Sequence, residues 1–138
     1  MTAPTPGRLG IVLQQLDRAI TAAVDSELAD HSTSRLEWQM VALLSRHEDG
    51  LPWAQLERLM PPAWSETEFS QAWTAIEAAG WGEIDGDRWV LTDAGADAVA
   101  TLGEGVQRVR DQVAQGVSDE EYRITLDVLE RMRDNLTM

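Results

Sequence analysis

The stretch SETEFSQAWTAIEAAGWGEIDGDRWVLTDAG, Ser65 to Gly95, decides how this chain folds. Ser65 and Glu68 stand three apart, the spacing at which each side chain satisfies the other's backbone donor at a helix start. Phe69, Trp73, Ile76 and Ala79 then recur at helical intervals, and Gly80 offers a left-handed stop. From Trp81 to Leu91 the pattern changes to strand, turn, strand. A two-residue loop at Gly86-Asp87 sets Asp85 opposite Arg88 and Ile84 opposite Trp89, which puts both large apolar side chains on one face of a hairpin. Thr92 caps another helix. Arg88, opposite Asp85, is expected to form a cross-strand ion pair on the exposed face.

Working backwards, Pro52 suits the first turn of a short helix bearing Trp53, Leu56 and Leu59, which Pro61-Pro62 ends. Ser34 and Glu37 repeat the capping spacing and open a helix to about Arg46, with Leu36, Met40, Leu43 and Leu44 inward. His31 to Thr33 is a loop. Before it, Leu9, Val12, Leu13, Leu16, Ile20, Ala23, Val24 and Leu28 form a helical stripe over residues 8–30. Residues 1–7, with two prolines and two threonines, read as a disordered tail. Forwards from Thr92, Val99, Leu102, Val106, Val109 and Val113 step by three and four, a coiled-coil-type seam. Gly103 and Gly105 weaken that helix by roughly 1 kcal/mol each relative to alanine. They are read either as slack or as a close helix crossing. Gly116 stops the helix, and Ser118 with Glu121 makes a third capping box before Tyr122, Leu126, Leu129, Met132 and Leu136.

Helix, helix, hairpin and helix make the outline of a winged helix-turn-helix, here residues 34–92, flanked by long terminal helices at 8–30 and 93–138. The expected fold is mainly α, a single domain over 8–138 with one short β-hairpin wing. Terminal helices apolar along one face leave a large patch on a monomer, and a two-fold dimer covers it. Leu9, Leu13, Leu16, Ile20, Tyr122, Leu129, Met132 and Leu136 are the expected dimerisation residues.

The bulk composition excludes several classes of function. There is no cysteine among the 138 residues, so disulfides, thiol catalysis and Cys-ligated metals are ruled out. No apolar run reaches membrane-spanning length and no signal pattern opens the chain, so a soluble cytoplasmic protein without a membrane partner is expected. No nucleophile motif, phosphate loop or metal spacing is present, and no catalytic residue, cofactor or metal site is assigned. The net charge of −13 opposes nucleic-acid binding at long range unless cations gather on one face.

The segments LEWQMVALLSR (Leu36–Arg46), AAGW (Ala78–Trp81), RWVLTDAG (Arg88–Gly95) and GVSDEEYRITLDVLERM (Gly116–Met132) resemble the MarR family of bacterial transcriptional regulators. The resemblance covers nearly the whole chain after Gly7. It implies a homodimer that binds palindromic double-stranded DNA, with a recognition helix at Glu66 to Ala79 and a wing at Gly82 to Leu91. It also implies release on binding a small ligand. Thr67, Ser70, Gln71 and Thr74 are then the candidate base contacts, and Arg58 and Arg88 the phosphate contacts. Trp38, off the main stripe of its helix, points toward the family's ligand cleft and suits a small aromatic molecule; His31 is grouped with it as a pocket candidate. The chain departs from the family where charge matters. Between Glu48 and Thr92 nine carboxylates face two arginines, a local charge of −7. Two other readings therefore stand beside the regulator: a winged-helix dimer acting as a protein-interaction module through its acidic face, or one whose cleft holds or converts an aromatic molecule.

Overall fold

The computed structural model describes residues 6–61 and 64–137. The expected tail lies outside them through residue 5, as does Pro62. Pro6 and Gly7 already belong to α1 (Pro6–Ala29), so the helix starts earlier than its apolar stripe. Then follow α2 (Arg35–Leu44), β1 (Leu51–Pro52), α3 (Trp53–Leu59), α4 (Glu66–Ala78), β2 (Gly82–Asp85), β3 (Arg88–Leu91), α5 (Asp93–Val113) and α6 (Asp119–Leu136).

All three capping boxes form. Ser34, Ser65 and Ser118 each accept from the backbone three residues on, while Glu37, Glu68 and Glu121 each return the bond. Each box satisfies donors that a helix start otherwise leaves unpaired, worth about 1 kcal/mol apiece. Hydrogen bonds from the Ser118 backbone and hydroxyl hold the Glu121 carboxyl below its ordinary value. A depressed carboxylate supports the helix start at neutral pH, and that support is lost as pH falls through the acid range.

The hairpin has the expected register, with Ile84 opposite Trp89 and Asp85 opposite Arg88. Gly86, at φ +65°, turns it. The sheet is larger than the hairpin alone. Leu51–Pro52 forms a third strand that pairs with β3, placing Pro52 opposite Arg88, in the order β1-β3-β2. Two residues paired across 36 and 38 positions carry no periodic signal of their own, which is why this strand escaped the sequence reading.

Two apolar clusters organise the molecule. In the winged helix, Leu36, Met40, Val41, Leu44, Leu56, Phe69, Trp73 and Ile76 are buried together. Leu28, Leu102 and Val106 form a smaller cluster where α1 crosses α5, and Trp38 and Trp81 touch both. A fully buried Leu or Ile is worth roughly 2 kcal/mol, so the first cluster carries most of the domain's apolar stabilisation. At the crossing, a Cβ on Gly105 would lie 2.8 Å from the Glu27 carboxylate, which Arg108 binds at 3.0 Å. Gly105 thus permits a close crossing. A Cβ on Gly103 would meet Trp38 at an ordinary 3.7 Å, so that position is slack. The C-terminal helix differs from the rest: α6 buries no residue.

The turn from wing to α5 is tightly packed. Thr92 caps α5 by accepting from the Gly95 amide at 3.0 Å, and a Cβ on Gly95 would run into the Trp81 carbonyl and the Leu91 side chain. Gly95→Ala should therefore cost about 3 kcal/mol or more, because backbone rather than a flexible side chain blocks the added methyl. Gly103→Ala should instead raise stability by about 0.5–1 kcal/mol through helix propensity. Urea denaturation of the two variants tests the contrast directly.

Candidate nucleic-acid interface and ligand cleft

Helix α4 is amphipathic in the way a reading helix needs. Phe69, Ala72, Trp73 and Ile76 bury one face. Thr67, Ser70, Gln71 and Thr74 follow at intervals of three, one and three on the opposite face, and all four are exposed. The structure brings these candidates into one stripe. Thr74 donates its hydroxyl to the Ser70 carbonyl at 2.9 Å, which fixes its rotamer and leaves its oxygen as an acceptor. The stripe lies between two grooves: Gln71 borders one shared with Arg35, Glu37 and Trp64, while Ser70 and Thr74 border one shared with the wing.

The cationic candidates behave differently from each other. Arg58 is exposed in the last turn of α3. Arg88 keeps its register opposite Asp85, yet its guanidinium donates to the Gly50 carbonyl at 3.1 Å. The expected cross-strand ion pair is not formed among the described residues. β1 accounts for this, since it lays Pro52 beside Arg88 and presents the adjacent Gly50 carbonyl. A charge-assisted bond to a half-buried carbonyl outweighs an exposed ion pair worth about 0–1 kcal/mol in water. Arg88 therefore pins the turn after α2 to the wing, next to its tip.

The two pocket candidates are separated. Trp38 walls a cleft of about 350 Å³ between α1, α2 and α5, where Ile20, Val24, Val109 and Tyr122 supply apolar lining. His31 lies instead in a depression beside Trp81, Asp97 and Thr101. Helix α1 ends at Ala29, before the turn that carries His31, and His31 is not among the residues lining the Trp38 cleft. Two arginines that the sequence reading missed, Arg35 and Arg110, line the cleft with Trp38. Arg35 is set by Thr21 at 3.3 Å and Asp25 at 3.6 Å, and it lies over the Trp64 ring at 5.6 Å. Its spacing of three from Trp38 was the available signal, since positions i and i+3 share a helix face. Trp64 packs on the winged-helix core and donates its indole N–H to Gln39 at 3.1 Å.

The expected dimerisation residues are uncovered along their helices. Leu9, Leu13, Leu16, Tyr122 and Met132 are each about two-fifths exposed, and Leu136 is 89% exposed. Ile20 and Leu129 are half-buried, Ile20 at the edge of the cleft. Among the described residues no helix is long and apolar enough to cross a membrane, and no group of His, Asp and Glu could hold a metal ion.

Neither protein-family models nor curated proteins give a match to this chain. Solved structures do. A MarR family transcriptional regulator from Silicibacter pomeroyi superposes with a TM-score of 0.77 at 20% identity, covering 94% of each chain. The fold is that of the MarR family structures. The MarR family protein Rv2887 of Mycobacterium tuberculosis, in complex with DNA, has a TM-score of 0.76 at 20% identity, over 95% of this chain and 98% of that one. The transcriptional repressor CouR, bound to p-coumaroyl-CoA, has 0.73 at 16%, over 91% of each. The likeness to the MarR structures runs through the terminal helices as well as the winged helix.

Arg88→Ala is the informative substitution here. Loss of a charge-assisted bond to Gly50 should cost about 1 kcal/mol, so the melting temperature should fall by several degrees rather than stay unchanged. Thermal melts of the parent and variant, side by side, read this out.

Proposed function

We propose that this protein is a MarR-type transcriptional regulator of the bacterial cytoplasm, acting as a homodimer through its first and last helices. The observation that carries the reading is an exposed polar stripe on α4, held by a winged helix between terminal helices whose apolar faces stand uncovered. A second copy seated on α1 and α6 would remove that apolar surface from water and set two reading helices in one assembly. DNA binding comes to this chain from the stripe and from its likeness to a fold seen in complex with DNA. Gln71 can contact adenine with both ends of its amide, and Ser70, Thr67 and Thr74 can meet other base edges.

Affinity from charge is small in this reading. With Arg88 tied to Gly50, Arg58 is the candidate phosphate contact in each subunit, so base contacts and shape must supply most of the specificity. The Trp38 cleft suits a small aromatic ligand with an anionic group, since Arg35 and Arg110 line it together with Tyr122. Ligand there would touch α1, α2 and α5 together, and so couple the dimer scaffold to the winged helix.

The tests are direct. Light scattering at micromolar concentration should give a dimer, and removal of the residues after Gly116 should yield a monomer or an unfolded chain. A monomeric parent would refute the assembly. In mobility-shift titrations against DNA flanking its own gene, the salt dependence should be shallow, with a log–log slope of about −2. Gln71→Ala should weaken operator binding by about 1–3 kcal/mol without changing that slope. Absence of binding at low salt to any such fragment would end the regulator reading.

A further inference from the structure

Between α4 and the wing runs an open groove of about 340 Å³, lined by Trp53, Ser70, Trp73, Thr74, Ile84 and Trp89. Its floor is aromatic: Trp89 lies 5.3 Å from Trp53 and 6.4 Å from Trp73, measured between ring centroids. Ile84 on the wing side is 49% exposed, an unusual state for an isoleucine paired across a hairpin with tryptophan. Trp73 is 6% exposed, and its indole N–H meets no acceptor among the described residues.

The elements that bound this groove carry carboxylates near it. Glu66 stands four before Ser70 and Glu77 three after Thr74, so both share the helix face that walls the groove. Glu57 stands four after Trp53 on α3, and Asp87 sits at the wing tip beside the loop glycine. Arg88, the wing's one arginine, is drawn to Gly50. An aromatic floor inside an acidic rim repels phosphate and attracts cations that carry apolar surface. Arginine is such a group, because its guanidinium stacks on indole faces while its stem covers apolar surface. A shallow open groove fits an extended chain better than a small molecule, which needs to be largely enclosed.

We infer that the groove between α4 and the wing docks a short arginine-rich, amphipathic segment of a partner protein. Charge complementarity assigns the occupant, and exposed Ile84 beside half-buried Trp89 supplies the apolar seat. Because Ser70 and Thr74 belong to both surfaces, such a segment and DNA would exclude each other.

The probe is a short fluorescent peptide alternating arginine and leucine, compared with one alternating arginine and serine of equal charge, measured by anisotropy without DNA. The arginine–leucine peptide should bind more tightly than its equal-charge partner. The paired substitution Glu66→Gln with Glu77→Gln should weaken it about tenfold, as should Ile84→Ser, which changes no charge. Asp17→Asn with Glu104→Gln, an equal charge change on α1 and α5, should leave affinity within about twofold. Thermal melts accompany each variant, and the rim pair, both exposed residues, decides the matter if Ile84→Ser unfolds. Equal losses from the rim and remote pairs would reduce the effect to net charge and overturn the inference. So would equal affinity for the two peptides, or a folded Ile84→Ser variant that binds like the parent. A protein that takes up a short DNA duplex at low salt but ignores the arginine–leucine peptide would overturn it too, and leave the regulator reading intact.

Discussion

The Thr92 hydroxyl holds three elements at one point. It donates to the Gly80 carbonyl at 2.6 Å, where α4 has stopped, and accepts from the Gly95 amide, where α5 begins. The Thr92 amide donates to the Trp81 carbonyl at 2.9 Å, closing the base of the wing. One side chain thus sets the angles among α4, the hairpin and α5. The glycine at 95 is the steric counterpart of that bond, since any Cβ there would push α5 off the Trp81 carbonyl. With the junction fixed, the α5 seam must meet α1 where Gly105 allows close approach, and the cleft walled by Trp38 follows from that placement. The orientation of the stripe on α4 relative to the uncovered terminal helices depends on this knot of hydrogen bonds.

What the sequence made legible was local. Capping boxes, the left-handed stop at Gly80 and the hairpin register all rest on residues within a few positions of one another, and each appears as read. The apolar stripes of α2, α4 and α5 were legible for the same reason, although Val41 was missed because it lies off the strict repeat. What stayed hidden was non-local. The partner of Arg88 is a carbonyl 38 positions away, brought near by a strand of two residues. The separation of His31 from Trp38 depends on how α1 leaves its crossing with α5. Arg35 and Arg110 share one cleft only because α2 and α5 pack side by side. Side-chain roles at the candidate sites thus depended on tertiary geometry, while element identities did not.

Charge and fold are decoupled in this molecule. The winged-helix core is built from apolar side chains that the surface does not disturb, so nine carboxylates between positions 48 and 92 are compatible with the same backbone that other MarR-fold proteins display. A fold of this kind constrains where a reading helix points but not what it presents. The polar stripe on α4 and the acidic, tryptophan-floored groove beside it are two surfaces on one scaffold, and their chemistries select different occupants.

The order of the sheet has one more result. β2 is an outer strand, and its far edge meets no further strand among the described residues. Unpaired amides and carbonyls along such an edge are a template on which another copy's edge can grow. β2 is four residues long and carries Glu83 and Asp85, so two copies approaching edge to edge would bring like charges together at close range. The acidity of the wing therefore keeps wings of different molecules from zipping into a shared sheet, a colloidal protection built into the strand itself.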